Sequence, residues 1–198
     1  MRVGLFGGRF DPPHMGHLLM AEQAREALPL DEVWFLPAGD PPHKPADASP
    51  LDRLEMTRLA VQDHPAFRAR ADEIRRSGPS YAYDTVVDLQ ERHPEATFAY
   101  LIGADAWAEI ETWHRAEALI RAVQMVVFPR RGTEAPPPPE RFARAATKIE
   151  TVPFGVSGTL VRSRVAAGRS LRYLVPDAVA AYLHTHGLYA RHDPPEGS

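Results

Sequence analysis

A doubly wound α/β domain, a parallel sheet with helices on both faces and a small C-terminal helical extension, is the fold class that this sequence predicts. Three observations predict it. Apolar runs at residues 3–6, 33–36, 98–102 and 123–128 alternate with amphipathic stretches at 18–28, 51–62 and 83–92, the βαβ rhythm of a sheet buried on both sides. A chain of 198 residues with 44% hydrophobic content can build one well-cored domain but not a second full one. The first apolar run leads directly into Gly7-Gly8, so the end of a strand can meet a ligand through its main chain.

Taken in order, residues 2–6 read as a short buried strand. Gly7 and Gly8 permit close approaches that a side chain would block. Asp11 and Pro12 each precede a proline and are biased away from the helical region, so the next helix begins at or after Pro13. His14 and His17 then fall in its first turn, three apart on one face, beside the unpaired N–H groups and the positive end of the helix dipole. Both imidazoles can donate to phosphate oxygens there. The same His-x-x-His could hold a metal ion, although the chain has no cysteine and no obvious third ligand nearby, or be incidental to a plain strand–turn–helix connection.

The second strand, 33–36, runs into a proline-rich loop, 37–50, that carries Lys44. A lysine on such a loop can bring a point charge over bound phosphate, or stay solvated. Ser80 and Thr85 are expected to open the helix at 83–92 as N-cap and turn residues. Gly103 and Asp105 leave strand 98–102 at its carboxyl end, where parallel sheets bind ligands. A carboxylate there can accept both hydroxyls of a ribose, or cap the next helix. Trp113, in a polar stretch between Thr112 and His114, is either core or a stacking platform for a ligand ring. The proline run 136–139 reads as a stiff surface loop.

A short apolar run around Val152 is expected to form a strand, with 155–162 starting another helix. Ser157 and Thr159 are its N-cap candidates. Arg162 is expected in the first turn, where a cation opposes the helix dipole at a cost of roughly 0.3–1 kcal/mol. An anion on that helix end would reverse the sign, because Arg and dipole would pull on the same charge; otherwise Arg162 faces solvent. From His192 onward the polar end is expected to be disordered, leaving 1–191 as one domain.

A net charge of −3 gives no global attraction to nucleic acid or to an anionic membrane. The absence of cysteine rules out disulfides and cysteine chemistry. The N-terminus enters a strand with no leader-like segment, and no apolar run approaches ~18 residues. A soluble cytoplasmic protein is expected. Neither G-x-x-x-x-G-K-[ST] nor a G-x-G-x-x-G after the first strand occurs, so the common P-loop and dinucleotide-binding readings lack their residues.

The stretch Gly7-Gly8-Arg9-Phe10-Asp11-Pro12-Pro13-His14-Met15-Gly16-His17 resembles the (H/T)xGH signature of the nucleotidyltransferase superfamily, whose fold is Rossmann-like. Ser157-Gly158-Thr159-Leu160-Val161-Arg162 resembles its second signature, S-x-T-x-x-R, with Gly158 where many members place a second serine. Within the superfamily the chain is similar to the nicotinate mononucleotide adenylyltransferases. Pro41-Pro42-His43-Lys44 resembles their P-P-H-K, and Ser80-Tyr81-Ala82-Tyr83-Asp84-Thr85 their S-Y-T-x-D-T, with Ala82 for the usual hydroxyl residue. Leu101-Ile102-Gly103-Ala104-Asp105 followed by Trp113-His114 resembles their I-G-A-D…W, and Leu183 to Tyr189 their closing helix.

The resemblance implies adenylyl transfer from ATP to nicotinate mononucleotide, giving deamido-NAD and pyrophosphate by in-line attack without a covalent intermediate. It assigns the catalytic work to His14, His17, Arg162 and Lys44. ATP would be bound by Gly7, Gly8, Phe10, His14, His17, Gly103, Asp105, Ser157, Thr159 and Arg162, and the nicotinate nucleotide by Lys44, Thr85, Trp113 and His114. Trp113 would stack on the pyridine ring, and main-chain N–H groups near His114 would meet its carboxylate. No evident carboxylate cluster awaits a metal, so Mg2+ is expected to arrive with ATP. ATP and nicotinate mononucleotide are the expected partners, without nucleic acid or membrane, for a monomer or homodimer. The alternatives are a nicotinamide mononucleotide or phosphopantetheine adenylyltransferase, and a non-catalytic nucleotide sensor on the same fold. Arg9, where many members carry a small hydroxyl residue, either adds a phosphate contact or points to solvent.

Overall fold

The computed structural model describes residues 1–42, 45–129, 137, 139–152 and 154–190. Its frame is a six-stranded sheet in the order β3-β2-β1-β4-β5-β6, with β1 (Arg2–Gly8), β2 (Glu32–Pro37), β3 (Phe67–Ala69), β4 (Thr97–Gly103), β5 (Gln124–Phe128) and β6 (Ala146–Lys148). Every pairing is parallel. The connections run outward from β1 in one direction and then from β4 in the other. The reversal lies between β1 and β4, paired as Phe6↔Leu101. An open sheet of this order binds ligands at that switch point, outside the carboxyl ends of the strands.

The alternation of side chains across the strands builds a core on each face. Val3 and Leu5 join Trp34, Leu36, Tyr100, Ile102, Met125 and Val127 on one side, covered by α4 (Ala82–Arg92) and α6 (Ala116–Ala122). Phe6 joins Val33, Phe35, Leu101, Val126 and Phe128 on the other, where α1 (Met15–Ala27) contributes Ala21 and Ala24, and α2 (Pro50–Val61) contributes Val61. Short α3 (Asp72–Arg75) and α5 (Ala104–Ala108) complete the set before the C-terminal helices α7 (Gly158–Ala166) and α8 (Asp177–Thr185). The extension has its own small core, in which Val161, Val175, Val179 and Leu183 pack on Met56 of α2.

Four strands and three long helices stand where the patterning puts them. β3 and β6 were not expected, because three residues are too few to show an alternation. The strand expected around Val152 is corrected: residues 149–152 form no strand, Val152 is 67% exposed, and the ladder beside β5 is made by Ala146–Lys148 instead. Among the described residues no helix is long and apolar enough to cross a membrane. Lys44, half of the proline run (136 and 138) and the tail from His192 lie outside the described residues.

Candidate active site

A cleft of about 330 Å³ opens at the switch point, with Phe6, Gly7 and Gly8 of β1 and Leu101 to Gly103 of β4 along its floor. Gly7 is required by its neighbour: a Cβ would run into the Tyr100 hydroxyl, and Tyr100 is buried. At Gly8 a Cβ would stand 3.2 Å from the Phe10 ring. Asp105, second residue of α5, is exposed at the rim, and Gly103 caps that helix in an extended conformation. Trp113 lines the far wall, half-buried and edge-on to Tyr100 at 6.2 Å between ring centroids. Beside it His114 stacks on Tyr81 at 4.3 Å, with Nε2 4.0 Å from an Asp84 carboxylate oxygen.

The remaining expected residues form a separate corner. His14 is the N-cap of α1 and His17 its third residue, so only His17 lies within the first turn. Their rings stack with centroids 3.7 Å apart. The His14 backbone N–H donates to His17 Nδ1 at 3.1 Å, which leaves Nε2–H as the donor of a neutral His17. Phe10, itself 1% exposed, presses edge-on against His17 at 4.9 Å. Its buried ring thereby orients the His17 imidazole. Gly16 is needed because a Cβ would lie 3.0 Å from His14 Nδ1. Burial lowers the His14 pKa from 6.5 to about 4. It also holds His17 well below its ordinary value, helped by the charge that His14 would carry. Both imidazoles are neutral at neutral pH, and an anion placed against them would draw protons onto them.

Across this corner lies the start of α7. Ser157 is its N-cap, with Oγ accepting from Leu160 N–H at 3.1 Å. Thr159, the second helical residue, is not a cap. Arg162 is the fifth, so the expected placement in the first turn is corrected and the dipole penalty fades with it. Its guanidinium donates through Nη1 to the Asp11 carbonyl at 2.7 Å and pairs through Nε with the Asp47 carboxylate at 2.6 Å. Gly158 stands where a serine would not fit: a Cβ would lie 2.9 Å from the Asp11 carbonyl and 3.2 Å from Arg162 Nη1.

Two residues that sequence reasoning gave no role hold these parts together. Asp11, 5% exposed, accepts from the backbone N–H groups of Asp47 and Ala48 and from the Tyr189 hydroxyl at 2.6 Å. It ties the loop after β1 to the proline-rich loop and to the end of the C-terminal extension. Arg53, 1% exposed on α2, donates to the carbonyls of Ala48, Arg9 and Gly39. Burial lowers its pKa, but a guanidinium stays charged. Arg53 was invisible because 51–62 reads as an ordinary amphipathic helix with a charged face. A lone carboxylate inside a Phe-Asp-Pro-Pro turn was the one available hint of Asp11. Arg9 lines the cleft and donates to the Pro45 carbonyl at 3.0 Å.

The expected opening of α4 is corrected as well. Its N-cap is Tyr81, without a side-chain cap. The Ser80 hydroxyl turns back to accept from the N–H groups of Gly39 and Asp40. Thr85 is fully buried; its hydroxyl donates to Glu73 at 2.9 Å and accepts from Arg76 at 2.8 Å. The hydroxyl also lies 3.2 Å from the Tyr81 carbonyl, so Thr85 touches the cleft lining through Glu73 and Tyr81. Among the described residues no cluster of three or more His, Asp or Glu could hold a metal ion by itself.

A neutral histidine pair at the start of α1 thus lies beside a switch-point cleft, across from an arginine of α7. Residues 5–164 match the cytidylyltransferase-like family model, and the chain belongs to that family. It is 44% identical over 191 residues to a protein of Salinibacter ruber named probable nicotinate-nucleotide adenylyltransferase, covering 96% of this chain and 98% of that one. A protein of the same name from Exiguobacterium sibiricum is 46% identical, covering 96% and 100%. Within the family the chain thus belongs with the nicotinate-nucleotide adenylyltransferases. The fold is also that of the Plasmodium falciparum nicotinic acid mononucleotide adenylyltransferase complexed with NaAD, with a TM-score of 0.78 at 17% identity over 95% of this chain and 97% of that one.

Proposed function

We propose that this protein transfers the adenylyl group of ATP to nicotinate mononucleotide, releasing pyrophosphate and forming deamido-NAD. The observation that carries the reading is the stacked pair His14–His17 at the start of α1, against a switch-point cleft walled by Trp113. A phosphate oxygen of the mononucleotide attacks the α-phosphorus of ATP as the bond to the β-phosphate bridging oxygen breaks. That phosphate is already a nucleophile at neutral pH, so no general base is needed. The protein's work is alignment of two anions and stabilisation of charge building on the α-phosphate and leaving group.

In this reading His17 donates from Nε2 to the α-phosphate, and the buried Nδ1 of His14 leaves its Nε2 to face the same triphosphate. Arg162 exchanges the Asp47 carboxylate for the β- and γ-phosphates, with Lys44 of the proline-rich loop as a second cation. Gly7, Gly8, Gly103 and Asp105 seat the nucleosides, and Trp113 stacks on the pyridine ring with His114 at its edge. Mg2+ carried on ATP would supply further charge neutralisation on the triphosphate, since no cluster of carboxylates and histidines among the described residues would hold it. We also take residues 1–191 as one domain and the cytoplasm as its place of action.

The test is pyrophosphate release with ATP and Mg2+, comparing nicotinate mononucleotide, nicotinamide mononucleotide and phosphopantetheine. Preference for the nicotinate nucleotide, with His17→Ala slower by about 10²- to 10³-fold in kcat, is the expected result. Preference for either other substrate would overturn the pyridine assignment, and turnover of none would favour a nucleotide sensor.

A further inference from the structure

Glu73 is a carboxyl residue on the cleft wall, 4% exposed, that neither the motifs nor the mechanism uses. Its carboxyl receives the Thr85 hydroxyl at 2.9 Å, and the Ser80 hydroxyl favours its charged form. Thr85 is held in turn by Arg76 Nη2 at 2.8 Å, and Ser80 accepts the N–H groups of Gly39 and Asp40 at 2.9 and 3.2 Å. Two separate walls of the cleft thus meet at one side chain. The turn after β2 leads into Pro41 and Pro42, and the start of α4 presents Tyr81 and Ala82; all four line the cleft. Even the backbone is in close contact, for a Cβ on Gly39 would stand 2.5 Å from the Glu73 carbonyl.

We propose that Glu73 is a positioning residue for the pyridine end of the cleft, fixing through Thr85 and Ser80 the spacing between the Pro41–Pro42 wall and the Tyr81–His114 stack. The inference rests on the nicotinate nucleotide reading above. Its geometry separates the two substrates: Glu73 has no contact with His14, His17 or Arg162, so the clamp governs the mononucleotide and leaves the triphosphate corner alone. Without Glu73 the Thr85 hydroxyl keeps only the longer contact to the Tyr81 carbonyl at 3.2 Å, and a buried hydroxyl that loses its better acceptor relaxes toward another partner and carries its helix or turn with it.

The test is steady-state kinetics of Glu73→Ala, Glu73→Gln and Thr85→Val on the full chain. In Glu73→Ala the KM for nicotinate mononucleotide rises about tenfold while kcat and the ATP KM stay within about twofold, since a small misplacement of a binding wall weakens only what that wall orients. Glu73→Gln, which keeps a carbonyl oxygen for the Thr85 hydroxyl, recovers most of the loss. Thr85→Val gives the same split and adds little to Glu73→Ala in the double variant; it also serves if Glu73→Ala does not fold. Equal effects on both substrates, a fall in kcat alone, or a Gln variant as poor as Ala would overturn the inference. Failure of the wild-type protein to use nicotinate mononucleotide would instead overturn the reading on which it rests.

Discussion

Stability should fall on mild acidification because of one imidazole, His14. It is 6% exposed and its pKa is lowered from 6.5 to about 4, burial being the cause. Between these values the unfolded chain binds the proton and the folded chain does not, so stability rises with pH across the window and is lost as pH falls below the unfolded value. The full difference corresponds to about 3 kcal/mol, of which about 2 kcal/mol is lost on going from about pH 7 to about pH 5. His17, shifted in the same direction, deepens the trend. Glu73 works against it: burial raises its pKa, so its contribution falls as pH rises through the folded value. Being common to both proteins, it cancels in a comparison. The assay is urea unfolding of wild type and His14→Gln at several pH values, with the free energy extrapolated to water. The variant should lose about 2 kcal/mol less than wild type over that interval. Identical pH slopes would refute the argument and place the neutral form of His14 in doubt.

Other perturbations follow from the same contacts. Gly158→Ser should destabilise by about 1–3 kcal/mol and raise the ATP KM, since the new side chain meets the Asp11 carbonyl and Arg162 Nη1; thermal unfolding and kinetics read both. Arg53→Met should cost about 3–5 kcal/mol by leaving three carbonyls without their donor, measured by urea unfolding. Tyr189→Phe should cost about 1–2 kcal/mol by removing a hydrogen bond to a buried carboxylate, seen as a lowered Tm. Arg9→Ser should raise the ATP KM if the guanidinium meets phosphate; an unchanged KM would leave Arg9 only as the anchor of Pro45.

The four long strands and the helices α1, α2 and α4 were legible because each carries a periodic apolar pattern over several residues. The three-residue strands were not, and the apolar run at Val152 misled because hydrophobicity alone does not make a ladder. In the candidate site, the glycines, the histidine pair and the Ser157 cap could be read directly, since each is a local backbone requirement. Phe10 and Thr85 could be located but not assigned: both are buried and act on the cleft through His17 and Glu73.

What the sequence determined by itself is the strand–turn–helix that bears His14 and His17, together with the succession of the main strands and helices along the chain. Steric limits at prolines and glycines, and the periods of strand and helix, act within a few residues of each other. Only the tertiary structure decided that Arg162 meets the Asp11 carbonyl across 151 positions, that Tyr189 closes on the Asp11 carboxylate across 178, and that Glu73 accepts the Thr85 hydroxyl beside the cleft. Such contacts arise when distant segments bury polar groups together and must satisfy one another, a condition set by how the chain closes on itself and not by any segment alone.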